Sequence, residues 1–275
     1  MALKSMKVSN NAAAVVTGAG SGIGKSFAYE IARRGGAVIC ADIRQDRAEA
    51  VADYLSALGT HAVPYACDVG KSEQMEELAR KAPELLKRPV TLVVNNAGVG
   101  LGGAIGEVTL ADWHWCMNVN LWGVIHGCHF FAPQLRSVGY GGIINVASAA
   151  GFAAAPEMST YNVTKAGVMS LSETLHAELT GTGVNVTVLC PTVVPTNIAN
   201  DGRLPERRSD FAKEAMTRFA LMDSDTVARK TLDAMDRNQL YILPQVDGRI
   251  AWYIKRLAPR LYAKGLGEAY RLIAD

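Results

Sequence analysis

The chain has 275 residues, 49% of them hydrophobic and 20% charged, enough for one sizeable core and too apolar for a disordered chain. Its 28 Lys and Arg against 26 Asp and Glu leave a formal charge of +2, without the basic excess that nucleic-acid binding demands. No apolar run approaches the roughly 18 residues of a membrane span, and five cysteines with no Cys-x-x-Cys pair predict reduced thiols and a cytoplasmic protein.

The first ten residues carry Lys4 and Lys7 with no apolar segment behind them, so they read as a frayed end and not as a secretory signal. From Ala13 onward, short β-branched runs alternate with segments of helical period, the pattern of parallel strands joined by right-handed helical crossovers. Strands are predicted at Ala13 to Gly18, Ala37 to Asp42, His61 to Asp68, Val90 to Asn96, Gly142 to Ser148, Asn185 to Pro191 and Leu240 to Leu243. Several are apolar at nearly every position, as expected when helices cover both faces of a sheet. Long helices are predicted around Leu110 to Val138 and Ser159 to Thr182, facing outward. The expected architecture is α/β, a doubly wound Rossmann-type fold with seven parallel strands. No linker or repeat divides it, so one domain is expected, with irregular stretches at Thr192 to Leu221, read as a substrate lid, and after Pro244.

Immediately after the first strand, Thr17-Gly18-Ala19-Gly20-Ser21-Gly22-Ile23-Gly24 opens a helix. Gly18 permits a tight turn, while Gly22 and Gly24 remove side chains so that a pyrophosphate can reach the amides and positive end of the helix. Asp42 ends the second strand, 18 residues beyond Gly24, where a carboxylate accepts both hydroxyls of an adenosine ribose and repels a 2′-phosphate. NAD is therefore favoured over NADP, although Lys25 and Arg44 are cations within reach of such a phosphate and Ser21 supplies none.

Tyr161 and Lys165 lie four residues apart in a helical stretch and emerge from one face. A phenol is a poor base near neutrality unless a neighbouring ammonium favours its phenolate, and Lys165 is placed to be that ammonium. On spacing alone such a pair is more often a solvated helix face. Ser148, 13 residues before Tyr161, closes the fifth strand at its carboxyl end, the edge where open α/β sheets bind ligands.

Together, Gly18-x3-Gly22-x-Gly24, Asn95-Asn96-Ala97-Gly98, Asn120, Ser148 and Tyr161-x3-Lys165 resemble, in order and spacing, the short-chain dehydrogenase/reductases, across about Ala12 to Thr196. The resemblance implies an oxidoreductase that interconverts a secondary alcohol and a ketone with a nicotinamide cofactor. Tyr161 would exchange a proton with the substrate oxygen and Ser148 would hydrogen-bond that oxygen. Lys165 would lower the tyrosine pKa and hold the nicotinamide ribose. Asn120, preferred to Asn118, would fix a water that relays protons from Lys165. Asp68 and Val69 resemble the pair that contacts adenine. Asn95 and Ala97 would support the sheet centre and the cofactor ribose, with a purely structural Asn95 as the alternative, and Gly98 would leave space there.

Where the family usually reads Pro-Gly-x-Val-x-Thr, this chain has Pro191-Thr192-Val193-Val194-Pro195-Thr196, a stiffer loop whose Pro191, Val194 and Thr196 are kept as cofactor contacts. Loops at Val99 to Ala104, Ala149 to Met158 and Val193 to Leu221 are candidates for the substrate pocket, and their apolar residues favour a hydrophobic substrate. Arg203, Arg207 and Arg208 with Phe211, Met216 and Phe219 leave an anionic group or a solvated lid as alternatives. His126, Cys128 and His129 have no third ligand at suitable spacing, and no metal is expected. The outward helices predict a homodimer or homotetramer. From Gly248 onward six basic residues face two acidic ones, and Ile250, Tyr253, Ile254, Leu257 and Leu261 share a helical face, interrupted at Pro259. That composition suits peripheral contact with an anionic membrane, or packing on a neighbouring subunit or over the active site. Functional alternatives are a dinucleotide-binding sensor without turnover, and an isomerase or dehydratase with tightly held NAD.

Overall fold

A computed structural model describes residues 7–199, 201–203 and 220–274. Among them lies one seven-stranded parallel sheet: β1 (Ala13–Thr17), β2 (Ala37–Asp42), β3 (Ala62–Ala66), β4 (Leu92–Asn95), β5 (Gly141–Val146), β6 (Val184–Leu189) and β7 (Tyr241–Ile242). The spatial order is β3-β2-β1-β4-β5-β6-β7. Every expected strand is present. The chain reverses its direction of travel between β1 and β4, which opens a crevice at the carboxyl ends of the central strands.

Successive residues of a strand point to opposite faces, and the core divides accordingly. Val15, Ile39, Val93 and Ile143 meet α3 (Ser72–Leu85), α5 (Gly123–Val138) and α7 (Ser159–Glu178) through Leu78, Phe131 and Val168. Val16, Val38, Val94 and Ile144 meet α1 (Gly22–Arg33), α2 (Gln45–Ala57) and α8 (Ser224–Asp236) through Phe27, Leu55 and Leu232. Each such large side chain, sealed from water, contributes about 1.5–3 kcal/mol. Both faces being covered explains why the strands read as continuous apolar runs.

Two expectations are corrected. The stretch from Leu110 to Val138 is not one regular helix: α4 (Leu110–Met117), capped by Thr109, passes into a π-helical segment at Asn118–Trp122 before α5 begins. Nor are residues 7–10 of the expected frayed end loose, while residues 1–6 lie outside the described residues. Ser9 is fully buried, with its amide donating to Asp236 Oδ1 at 2.9 Å and its hydroxyl to Asp236 Oδ2 at 2.6 Å, while Arg34 Nη1 donates to Ser9 Oγ at 2.7 Å. These partners lie far away in sequence, so a local reading of residues 7–10 could not see them.

After β7 the chain continues into α9 (Val246–Leu257) and α10 (Pro259–Ala274), with the break at Ala258 and Pro259 where the sequence placed it. Trp252 packs edge-on against Phe152 of the short helix α6 (Ala150–Ala153), at 4.9 Å between ring centroids. Tyr262 donates to the Ala153 carbonyl at 2.9 Å and Tyr270 to Glu157 Oε1 at 2.7 Å. The tail therefore braces the segment between β5 and α7.

Candidate active site

The glycine-rich turn between β1 and α1 is closed by residues from β2 and β4. Gly18 and Gly22 adopt positive φ, +63° and +51°, which only glycine takes without strain. A side chain at Gly24 would run into the Gly18 carbonyl, and one at Gly22 would begin 2.9 Å from Thr196 Cγ2. The Thr17 hydroxyl accepts from the amides of Asn96 and Ala97 at 3.0 and 3.1 Å, and Asn96 Nδ2 donates to the Thr17 carbonyl at 2.9 Å. Ser21 and Ile23 flank Gly22 at the first turn of α1, where amides without intrahelical partners meet the positive end of the helix. This cradle fits the pyrophosphate of a dinucleotide.

Asp42 ends β2 beside that turn. Its Oδ2 accepts from the Gly20 amide and its Oδ1 from the Arg44 amide, both at 2.9 Å, so the carboxylate is held in one orientation. Each oxygen retains a further acceptor site, enough for a pair of ribose hydroxyls. Arg44 folds onto Asp46, and Arg47, beside Gly20, pairs with Asp201 at 2.7 Å. Further along the same edge, Asp68 Oδ1 accepts from the Gly70 amide at 3.0 Å, and the Val69 carbonyl accepts from His126 Nδ1 at 2.9 Å. His126 thus serves the end of β3. Among the described residues there is no cluster of three metal-ligating side chains.

At the end of β4 the side chains diverge. Asn95 points beneath the sheet, where Nδ2 donates to Asn145 Oδ1 at 2.9 Å, and Gly127 closes over its Oδ1. Its side chain ties β4 to β5, the structural role that the sequence left as its alternative. Ala97 and Gly98 lie on the crevice side. A side chain at Gly98 would begin 3.2 Å from Asn120 Oδ1 and 3.5 Å from Lys165 Nζ, so Gly98 is the gap across which those two polar groups approach each other.

Asn120 is fully buried in the π-helical segment, whereas Asn118 is exposed. Asn120 Oδ1 accepts from the Val99 amide at 2.7 Å and Nδ2 donates to the Val99 carbonyl at 2.9 Å. The wider π turn carries this side chain inward without ending the helix, a device found often at functional sites. Cys116, on the preceding turn, is kept a thiol by burial, which pushes its pKa up to about 11.

Tyr161 and Lys165 share the buried face of α7, with Nζ 5.6 Å from the phenol ring centroid. Gly151 lets α6 lie directly against the Lys165 backbone, and Lys165 Nζ donates to the Val146 carbonyl at 2.9 Å. Ser148 follows β5, its hydroxyl accepting from the Ala150 amide at 3.1 Å. Burial pushes the Tyr161 phenol up to about 12, opposed by the Ser148 hydroxyl, and pushes Lys165 down to about 8. In the chain alone, then, loss of water outweighs any help Lys165 gives the phenolate, contrary to the simple expectation. The ammonium is drawn toward the Val146 carbonyl, and both groups are sealed from solvent.

The loop after β6 is anchored from outside the site. Gln245, itself buried, accepts from the Thr192 amide at 3.2 Å and donates to the Val193 carbonyl at 3.4 Å, and the Thr192 hydroxyl donates to Asp247 at 3.2 Å. Val194 is buried, and Thr196 comes to rest on Gly22. Pro191 sits at the base of this loop, its carbonyl accepting from the Ala149 amide at 2.8 Å. Of the expected lid, Arg207, Arg208, Phe211, Met216 and Phe219 lie outside the described residues. Arg203 donates to Asp112 and lies 4.1 Å above the Trp115 ring, closing the far side of the loop that begins at Val99.

Comparison with known proteins agrees with this geometry. The profile of the family described as short chain dehydrogenase matches residues 12–206. The chain belongs to the short-chain dehydrogenase family. It is 39% identical over 184 residues to the probable oxidoreductase EphD of Mycobacterium tuberculosis, a match that takes in 66% of this chain and only 31% of EphD. A short-chain dehydrogenase/reductase of Burkholderia phymatum, solved in complex with NAD, superposes with a TM-score of 0.86 at 33% identity, covering 93% of this chain and 96% of that one. An alcohol dehydrogenase of Thermococcus sibiricus, complexed with 5-hydroxy-NADP, gives 0.71 at 26% identity over 84% of this chain and 94% of its own. Short-chain dehydrogenases are oxidoreductases, and these two neighbours carry an NAD and an NADP derivative respectively.

For this short-chain dehydrogenase, the residues to which the sequence assigned no role are those that support the site. Thr17 and Asn96 lock the glycine turn, Gln245 and Asp247 hold the loop after β6, and Arg47 is the cation standing beside Gly20. Asn96 lay inside a recognised motif and was legible there. Gln245 and Asp247 lie about fifty residues from the loop they hold, and no local signal marks them.

Proposed function

We propose that the protein is an NAD-dependent dehydrogenase or reductase interconverting a secondary alcohol and its ketone. The observation that carries this reading is the convergence of Ser148, Tyr161 and Lys165, two of them buried on one face of α7, at the sheet edge that also bears the glycine cradle. The cofactor would lie with its pyrophosphate on Gly18 to Gly24, its adenosine ribose on Asp42, its adenine by Asp68 and Val69, and its nicotinamide end between Lys165, Pro191, Val194 and Thr196. Ala97 and Gly98 would border it. The nicotinamide supplies the hydride acceptor or donor.

The protein's own part is positional and protonic. Tyr161 takes the hydroxyl proton of the alcohol, or returns it to the ketone oxygen, and Ser148 holds that oxygen by a hydrogen bond. Lys165 keeps a positive charge beside the phenol and binds ribose hydroxyls. Asn120 faces Lys165 Nζ across Gly98, which supports its place in a proton path through water. The low dielectric that raises the Tyr161 pKa also strengthens the effect of every nearby positive charge.

NAD is favoured because Asp42 is held by two backbone amides, Oδ2 by Gly20 of the turn and Oδ1 by Arg44 beyond β2, so that its carboxylate stands fixed beside the cradle. The small apolar segment Ala149 to Pro156 supports a hydrophobic substrate. Exposed Trp122 and Val163 on the outward helices support a homodimer or homotetramer, and five free, buried thiols support a reducing, cytoplasmic setting.

The test follows absorbance of reduced nicotinamide while a panel of hydrophobic and polar secondary alcohols is mixed with protein and NAD, then NADP. Turnover with NAD is expected, and Tyr161→Phe should lower kcat by about 10²–10⁴ while retaining NAD affinity. Silence from the wild-type protein despite measured NAD binding would favour the sensor, and loss of NAD binding in the variant would make Tyr161 a structural residue.

A further inference from the structure

The helical pair after β7 turns two different surfaces outward. On α9 the face toward the body carries Gly248 against Thr192, Trp252 against Phe152 and Tyr241, and Lys255 donating to the Phe152 carbonyl. The opposite face repeats Val246, Ile250, Tyr253, Ile254 and Leu257 at helical spacing, and these stay exposed, Leu257 at 83%. On α10 the inward face carries Tyr262 and Tyr270, whereas Arg260, Lys264 and Arg271 point outward. Arg249, Arg260 and Lys264 form no ion pair among the described residues. An exposed apolar face of α9 is thus followed by exposed bases on α10, and neither packs on the rest of the described residues.

We propose that α9 and α10 seat this protein on an anionic lipid surface. The apolar face of α9 enters the boundary between headgroups and acyl chains, and the bases of α10 meet the lipid phosphates. The chemistry is that of an interfacial helix: a continuous apolar stripe, flanking cations, and a length too short to span, since none of the described helices is long and apolar enough to cross a membrane. A second copy of the chain fits the surface less well. Residues from Gly248 onward carry six bases against two acids, and two-fold pairing would set one basic face against another. Anchoring by Trp252, Tyr262 and Tyr270 makes the pair a rigid platform, so docking incurs little cost in chain ordering.

Sedimentation with vesicles tests the proposal, using the full chain with either phosphatidylglycerol and phosphatidylcholine mixed or phosphatidylcholine alone. Binding is expected on the anionic vesicles at low ionic strength, weaker on the neutral ones, and falling as salt is added. Ile250→Asp with Leu257→Asp should abolish it, and Arg260→Glu with Lys264→Glu should weaken it by about tenfold or more. All four positions are exposed, so both variants should keep the wild-type circular dichroism and melting temperature. No binding by the wild-type chain, or equal binding by both folded variants, overturns the proposal. So does the finding, by sedimentation velocity, that the Asp variant separates copies of a chain that ignores vesicles, which would make the face a contact between copies.

Discussion

Lys165 is held in the site against its own solvation. Burial takes its pKa from 10.5 down to about 8, which corresponds to about 3 kcal/mol against keeping the ammonium in the fold at neutral pH. Because the folded chain binds this proton more weakly than the unfolded chain does, the stability contributed here is lowest below pH 8 and rises between about 8 and 10.5. Lys165→Met is accordingly expected to raise the melting temperature at neutral pH and to flatten that rise, while turnover is lost. Thermal melts across the alkaline range, run for both proteins, check it, and a Met variant that melts below wild type would contradict it. Asp42 poses the converse question, a carboxylate held in one orientation by two backbone amides at the end of β2. For Asp42→Ala, NAD binding should weaken by about ten- to a hundredfold, from loss of charge-assisted bonds, with NADP binding gained as the repulsion of a 2′-phosphate disappears. Titration of both cofactors measures this, and an unchanged ratio would remove Asp42 from cofactor choice. The placement of Tyr161 and Lys165 on one helix face, and of Ser148 and Asp42 at strand ends, was legible from spacing, whereas the roles expected of Tyr161, Lys165 and Ser148 came from the family resemblance. The direction of Asn95 was not, because it depends on Asn145 across the sheet.

Among the helices and loops, two departures from regularity shape the crevice. The π segment at Asn118–Trp122 rotates Asn120 inward, where it bonds both backbone groups of Val99. Apolar periodicity across residues 110–138 hides this, because one wide turn barely disturbs a hydrophobic stripe. The loop after β6 reads as stiffened by Pro195 and by Thr192 where the family has glycine, but its firmness comes equally from Gln245 at the start of α9. Gln245→Ala removes two backbone contacts, and should cost about 1–3 kcal/mol and raise the KM for the nicotinamide cofactor several-fold, with a smaller change in kcat. Urea denaturation and steady-state kinetics on the variant separate these effects. A loss of stability with both kinetic constants unchanged would show that the loop keeps its course without this anchor.

Across the chain, one cation fastens the amino-terminal stretch to the far side of the sheet. Arg34 donates to Glu30 at 2.8 Å and pairs with Asp233 at 2.8 Å and Asp236 at 3.4 Å, with Ser9 between them. Asp236 is nearly enclosed, so removing its partner strands a charge. Arg34→Ala should cost about 3–5 kcal/mol in urea unfolding, and a loss below about 1 kcal/mol would mean that water replaces the guanidinium.

The order of strands and helices along the chain and the covered sheet were written in the sequence because they depend on local periodicity, which any window of sequence carries, and the Tyr161-x3-Lys165 motif was legible through its resemblance to a family. The role of Ser9, the side taken by Asn95, the inward turn of Asn120, the anchoring of the loop by Gln245 and the suppressed acidity of Tyr161 became visible only when distant segments were brought together. Hydrogen bonds between remote residues, and the dielectric that burial imposes, are properties of the packed chain, and no pattern along the sequence encodes them directly.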